Sequence, residues 1–234
     1  MTAVYKREIK GYFSSGIGYI FLAVFYFFAA FFFFTSNLQG NTSDISGLFS
    51  SLNFIIVILI PLLTMRLICE ETKQKTDQLL LTSPVSLSGV VAGKFFAALT
   101  VFAMGLFSVV IFSLTMAAYV NVDTFVILGN IMGTLLFASA LIGIGIFISS
   151  LTESQVISAV ASFFVMLMLL MLSSLNSLVT NKFLQGIISA ISISSRYNNF
   201  SMGIFNLGDT VYYFSIAAAF IFLTVRVLEK RRWS

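Results

Sequence analysis

Glu70 and Glu71 form a carboxylate pair, the side-chain chemistry that general acid and base catalysis uses when both groups face one substrate. Neighbours in sequence diverge around a helix, and with Lys73 and Lys75 beside them the pair reads as a solvated face. Gly89-Val90-Val91-Ala92-Gly93-Lys94-Phe95 has the outline of a phosphate-cradling loop. That loop requires four residues between its glycines and a Ser or Thr after the lysine to hold magnesium, and this run meets neither condition. The chain has no histidine, which excludes a histidine base or metal ligand. Cys69 is the single cysteine, so no intramolecular disulfide forms.

The residues around these groups are 59% hydrophobic and only 9% charged, outside the range of a soluble domain. Uncharged stretches run from Gly11 to Ser43, Ile45 to Met65, Phe95 to Val122, Thr124 to Thr152, Ser154 to Asn181 and Thr210 to Val225. A spanning helix needs about 20 residues, and snorkelling of Arg226 extends the last stretch to Leu228. The chain is therefore expected to be an all-α integral membrane protein with six spans, a single domain over residues 1–234. Eleven of the thirteen Lys and Arg fall in the terminal and even-numbered connecting segments, leaving Lys182 and Arg196 on the other side. The positive-inside rule then puts both termini in the cytoplasm of a multi-pass cell-membrane protein. The net charge of +4 needs no nucleic acid to explain it. None of the six stretches carries the mid-membrane ionisable residue that ion-coupled transporters use, so the energy for any transport must come from outside the chain.

Several local patterns refine this frame. Tyr5, Ile9, Tyr12 and Phe13 share one face of Met1 to Phe13, with Lys6, Arg7 and Lys10 elsewhere; this is an interfacial helix on the inner lipid leaflet or else a frayed basic tail. Gly16 and Gly18 let the chain turn into the bilayer. The phenylalanines of the first span read as lipid-facing bulk. Gly129-xxx-Gly133 and Ser139-xxx-Gly143 give span four small faces for close helix packing. Thr152 and Gln155 have capping-box spacing around a tight inner turn that carries Glu153. Residues 177–208 are apolar but too broken to span, either short helices re-entering the outer leaflet or a helix lying on it, and Asp209 is placed to cap the last span.

Between Arg66 and Lys94 lies a charged island. Glu70 to Leu81 has neither glycine nor proline, which favours a helix that ends before Pro84. Leu79, Leu80 and Leu81 give that polar helix an apolar end suited to plugging a groove in a soluble partner.

The run from Arg66 through Glu70-Glu71-Thr72-Lys73-Gln74-Lys75-Thr76-Asp77-Gln78-Leu79-Leu80-Leu81-Thr82-Ser83-Pro84, followed by Gly93-Lys94, resembles the ABC-2 type transporter permeases. Ser149 to Gln155 and Phe200 to Asp209 resemble them as well. The likeness covers essentially the whole chain and leans toward the short gliding-motility and multidrug-type membrane subunits. It implies a cytoplasmic interface helix at residues 1–13, a coupling helix at 70–82 and re-entrant outer helices. It also implies two permease subunits, identical or different, on two ATP-binding cassette subunits, with the path at the permease interface formed by spans one, two and five. ATP and magnesium would be bound by the partner and no cofactor by this chain. Export is the expected direction. The alternative is a membrane scaffold worked mechanically by the same kind of ATPase. The expected coupling residues are Glu70, Glu71, Lys73, Lys75, Asp77, Leu79, Leu80, Leu81 and Thr82, with Glu153 as an inner-loop contact.

Overall fold

The computed structural model describes residues 1–40, 42, 44–73, 86–119, 123–176, 185 and 192–233. Among these the chain forms helices and turns and no strand. Lys75, Asp77, Leu79, Leu80, Leu81 and Thr82, the stop before Pro84, and Phe183, Leu184, Ile187, Ile188 and Ile191 lie outside the described residues.

A short helix α1 (Thr2–Ser14) meets α2 (Ile17–Phe32) at Gly16, whose φ of 78° is a left-handed conformation that glycine adopts without a Cβ clash. The first span then continues as a wider π-helical stretch, Phe33–Gln39. Asn37 within it donates Nδ2 to the carbonyls of Thr42 at 3.2 Å and Asp44 at 3.1 Å, tying down the outer turn. Helix α3 (Ser46–Thr64) contains Pro61 and passes through a turn at 65–68 into α4 (Cys69–Lys73). The remaining elements are α5 (Leu87–Tyr119), α6 (Thr124–Leu151), α7 (Gln155–Asn176), α8 (Ile193–Ser201) and α9 (Leu207–Trp233). Six of these are long and apolar enough to cross a bilayer, and they coincide with the six uncharged stretches of the sequence.

Helix α6 sits at the centre, with 78% of its apolar window buried, and α3 follows at 72%. By contrast α2, α7 and α9 bury only 22%, 17% and 22%, so these three carry the broad outward faces. Small residues put α6 in the middle, because lipid tails are as apolar as leucine and helices gain by close backbone approach. A Cβ on Gly143 would lie 3.2 Å from Ala217 Cα of α9, and one on Gly133 only 2.6 Å from Phe200 Cβ of α8. The small faces read from the sequence are thus packing faces.

Three expectations are corrected. Phe21 and Phe25 do not face lipid: both are fully buried, Phe25 meeting Phe102 of α5 edge-on at 5.8 Å, whereas Phe27, Phe31 and Phe34 point outward. The Thr152–Gln155 capping box does not form. Thr152 is extended and ends α6, and Ser154, whose carbonyl accepts from Ser158 N at 2.9 Å, opens α7 one residue before Gln155. Reversing direction between two spans takes up all of residues 152–154, so Gln155 is the first helical residue and not the third, the position from which a capping box reaches back. Asp209 is not the cap of α9 either. Asn206 has that role, its Oδ1 accepting from Gly208 N at 2.9 Å and its carbonyl from Thr210 N at 3.2 Å. Asp209, inside the first turn and buried, instead accepts from Arg196 Nη1 at 2.9 Å and Asn199 Nδ2 at 2.6 Å, binding α8 to α9.

Candidate functional site

Helix α1 is amphipathic as the sequence spacing requires, with Lys6, Arg7 and Lys10 exposed and Tyr12 buried. Its inward face is seated by polar contacts as well as apolar ones. Tyr12 donates its hydroxyl to the Leu63 carbonyl at 2.8 Å, and the Tyr5 hydroxyl pairs with Thr100 Oγ1 of α5 at 3.0 Å. Between these two tyrosines the same face carries Glu8, which is also buried.

Glu8 meets Lys94. The lysine amine donates to Glu8 Oε1 at 2.9 Å and to the Leu67 carbonyl at 2.6 Å, and it lies 3.0 Å from Glu71 Oε1. Lys94 is only 2% exposed although it is two turns inside α5. A buried ammonium is tolerated only when its charge and donors are met, and here they are. Arg7 closes the cluster from the outside by pairing with Glu8 at 3.0 Å and with Glu71. Arg66 adds a looser contact to Glu70 at 3.8 Å and lies over the Tyr12 ring at 5.4 Å. These groups line a cleft of about 310 Å³.

The reading of Glu70 and Glu71 as a solvated face is therefore corrected for Glu71, which turns inward to the cluster while Glu70 stays at the rim. Lys73 is exposed, as is Glu153 in the turn between α6 and α7. The run from Gly89 to Lys94, already unlike a phosphate loop in spacing, is continuous helix, and Gly93 abuts Met1 and Val4 of α1. Its lysine is occupied by carboxylates, so those residues offer phosphate no cradle.

The end of α3 is bonded across to α6 at this same end. Breaking the helix at 65–68 frees backbone groups that Ser149 collects: it accepts from Ile68 N at 3.3 Å and Cys69 N at 3.2 Å and donates to the Met65 carbonyl at 3.2 Å. Arg231 near the end of α9 donates to Thr72 Oγ1 at 3.0 Å and the Ser150 carbonyl at 2.7 Å. Both terminal helices thus converge on α4 at one end of the bundle. Among the described residues no group of three acidic or thiol side chains is arranged to hold a metal.

Glu8 was not singled out from sequence, Arg231 entered only the charge count, Ser149 only opened a stretch that carries the family resemblance, and Lys94 was noted as the edge of the charged island, within the resemblance and as a failed phosphate-loop lysine. The signal available was the placement of Glu8 on the apolar side of α1, three residues from Tyr5 and four from Tyr12. Burial would raise the Glu8 carboxyl, but the charge and hydrogen bond of Lys94, with those of Arg7, outweigh it and hold its pKa below the ordinary 4.5. A lowered folded pKa gives stability that is fully present above 4.5 and is lost as pH falls through the folded value. The melting temperature of the purified protein should be insensitive to this group above that pH and fall below it, and Glu8→Gln should remove that part of the acid sensitivity. An acid limb unchanged in Glu8→Gln would show that Glu8 is not held ionised.

No curated protein matches this chain closely enough to name as a relative. The family model described as ABC-2 family transporter protein matches residues 3–231, which takes in α1, all six spans and the charged cluster between them. The chain belongs to that family and is a multi-pass membrane permease component.

Proposed function

We propose that this chain is the permease subunit of an ATP-driven exporter, worked from the cytoplasmic side by separate ATP-binding cassette subunits. The observation that supports this reading best is the convergence of α1, α4 and the start of α5 on one charged cluster, with the end of α9 bonded to α4 beside it, at the end of the bundle that carries both termini. That end is the one the positive-inside rule assigns to the cytoplasm. A push on the segment that begins at α4 reaches four spans together: α3 through the turn at 65–68, α5 through Lys94, α6 through Ser149 and α9 through Arg231.

In this reading Glu70, Lys73, Lys75, Asp77 and Leu79 to Thr82 meet the cassette subunit, with the exposed Glu153 as a second contact. ATP and magnesium are held by the partner. Two copies of the permease, or this chain and a second permease, meet through the outward faces of α2 and α7, where Phe27, Phe31, Phe164 and Met168 are exposed. An apolar path suits an amphipathic or hydrophobic cargo.

The test is purification of the tagged chain from its native membranes, followed by reconstitution in vesicles. A cassette ATPase should co-purify, and an amphipathic dye should move toward the non-cytoplasmic side only with ATP. No bound ATPase would overturn the reading. A bound, active ATPase with no ATP-dependent movement of any cargo would favour the scaffold function instead.

A further inference from the structure

We propose that Lys94 is a positioning residue: with Glu8 and Glu71 it forms an internal ionic latch that makes α1 and α4 move as one body. This rests on the coupling role proposed above and names the residue through which motion of α4 reaches the first span.

Three features support the assignment. An ammonium has three donors, and the three acceptors around Lys94 come from three different segments: Glu8 from α1, the Leu67 carbonyl from the turn after α3, and Glu71 from α4. Lys94 itself belongs to α5, so one nitrogen fixes the mutual position of four segments. The charges also balance within the cluster, since Lys94 and Arg7 face Glu8 and Glu71. A mutually satisfied set has little to offer a ligand and much to lose if one member shifts. Finally, ions are not the only contacts that dock α1. Tyr12 is fully buried, Tyr5 reaches Thr100, and Val4 lies against Gly93. A buried ion pair is often no more stabilising than apolar residues of the same volume, and its best-attested use is to fix register. The latch fixes the register of α1 on α4. Beyond α1, the Gly16 bend passes the motion into α2.

The experiment compares Lys94→Met, Glu8→Gln/Lys94→Met and Lys94→Arg in the complete transporter complex. Lys94→Met leaves two carboxylates against Arg7 alone and should lower the yield of folded protein. The double variant removes one charge of each sign and should recover that yield and the bound cassette subunit. Its transport per ATP hydrolysed should nevertheless fall at least tenfold, while Lys94→Arg, which keeps the charge, should stay within about threefold of the wild type. A double variant with wild-type transport per ATP would reduce the cluster to a structural contact and overturn the proposal. Hydrogen exchange gives a second readout that needs no ATPase. In the double variant the amides of residues 2–14 should exchange at least tenfold faster while those of α6 are unchanged. Unaltered exchange in α1 would overturn the latch itself, whereas a wild-type chain that binds no cassette subunit would overturn the coupling role and leave this exchange difference standing.

Discussion

Leu80→Asp is expected to release the ATP-binding cassette subunit while leaving the membrane bundle folded. Leu79, Leu80 and Leu81 are three consecutive leucines at the end of a segment otherwise made of Glu, Lys, Gln, Thr and Asp. On the coupling reading they fill a groove in the partner, where a carboxylate would be buried without a counter-charge. Losing a buried interfacial anchor costs about 2 kcal/mol or more, which is about 30-fold in affinity. The fall should be visible as loss of the cassette subunit on affinity purification, with an unchanged elution volume and melting temperature for the permease. Leu80→Asp that retains the ATPase and its stimulation would remove this segment from the interface.

Gly133→Leu is expected to be strongly damaging within the membrane. The Cβ alone would lie 2.6 Å from Phe200 Cβ, 3.1 Å from its Cγ and 3.2 Å from Tyr197 Cε2. Phe200 and Tyr197 are themselves buried, so neither can swing aside into lipid. Helix α8 must move away, and with it go the bonds of Tyr197 to Asn130 Oδ1 and Thr134 Oγ1, both 3.1 Å. Overpacking costs about 1–3 kcal/mol and sometimes more, and membrane side-chain hydrogen bonds add about 0.6 kcal/mol each. Together these lower the melting temperature by about 2–4 °C per kcal/mol for a chain of this size. Gly47→Leu is the comparison, because a side chain there meets nothing within 4 Å. Equal melting temperatures for Gly133→Leu and wild type would mean that α8 is not seated on α6.

Charge and hydropathy made the architecture legible, because spans are long runs that a bilayer forces to be uncharged, and small residues at i and i+4 mark where helices touch. Gly129, Gly133 and Gly143 were readable for that reason. Fine structure at helix ends was not. Thr152 and Asp209 both have the right residue type for a cap, but direction reversal after α6 and the pull of Arg196 on Asp209 decided otherwise. The charged cluster was half legible. Glu71 stood out as part of the island, but an isolated acid in a basic tail and a lysine at the start of a span have unremarkable neighbours in sequence. Glu8 and Lys94 meet across 86 positions, and no spacing rule reaches that far. Asn130, Thr134 and Tyr197 escaped because a charge count passes over neutral polar groups.

The separation between Glu8 and Lys94 also has a consequence for biosynthesis. Glu8 leaves the ribosome 86 residues ahead of Lys94, and Glu71 precedes it by 23. Both carboxylates are therefore already made when the third span begins to emerge. The lysine, the member of the cluster hardest to leave uncompensated at the start of an apolar helix, is synthesised last and enters a site whose counter-charges already exist.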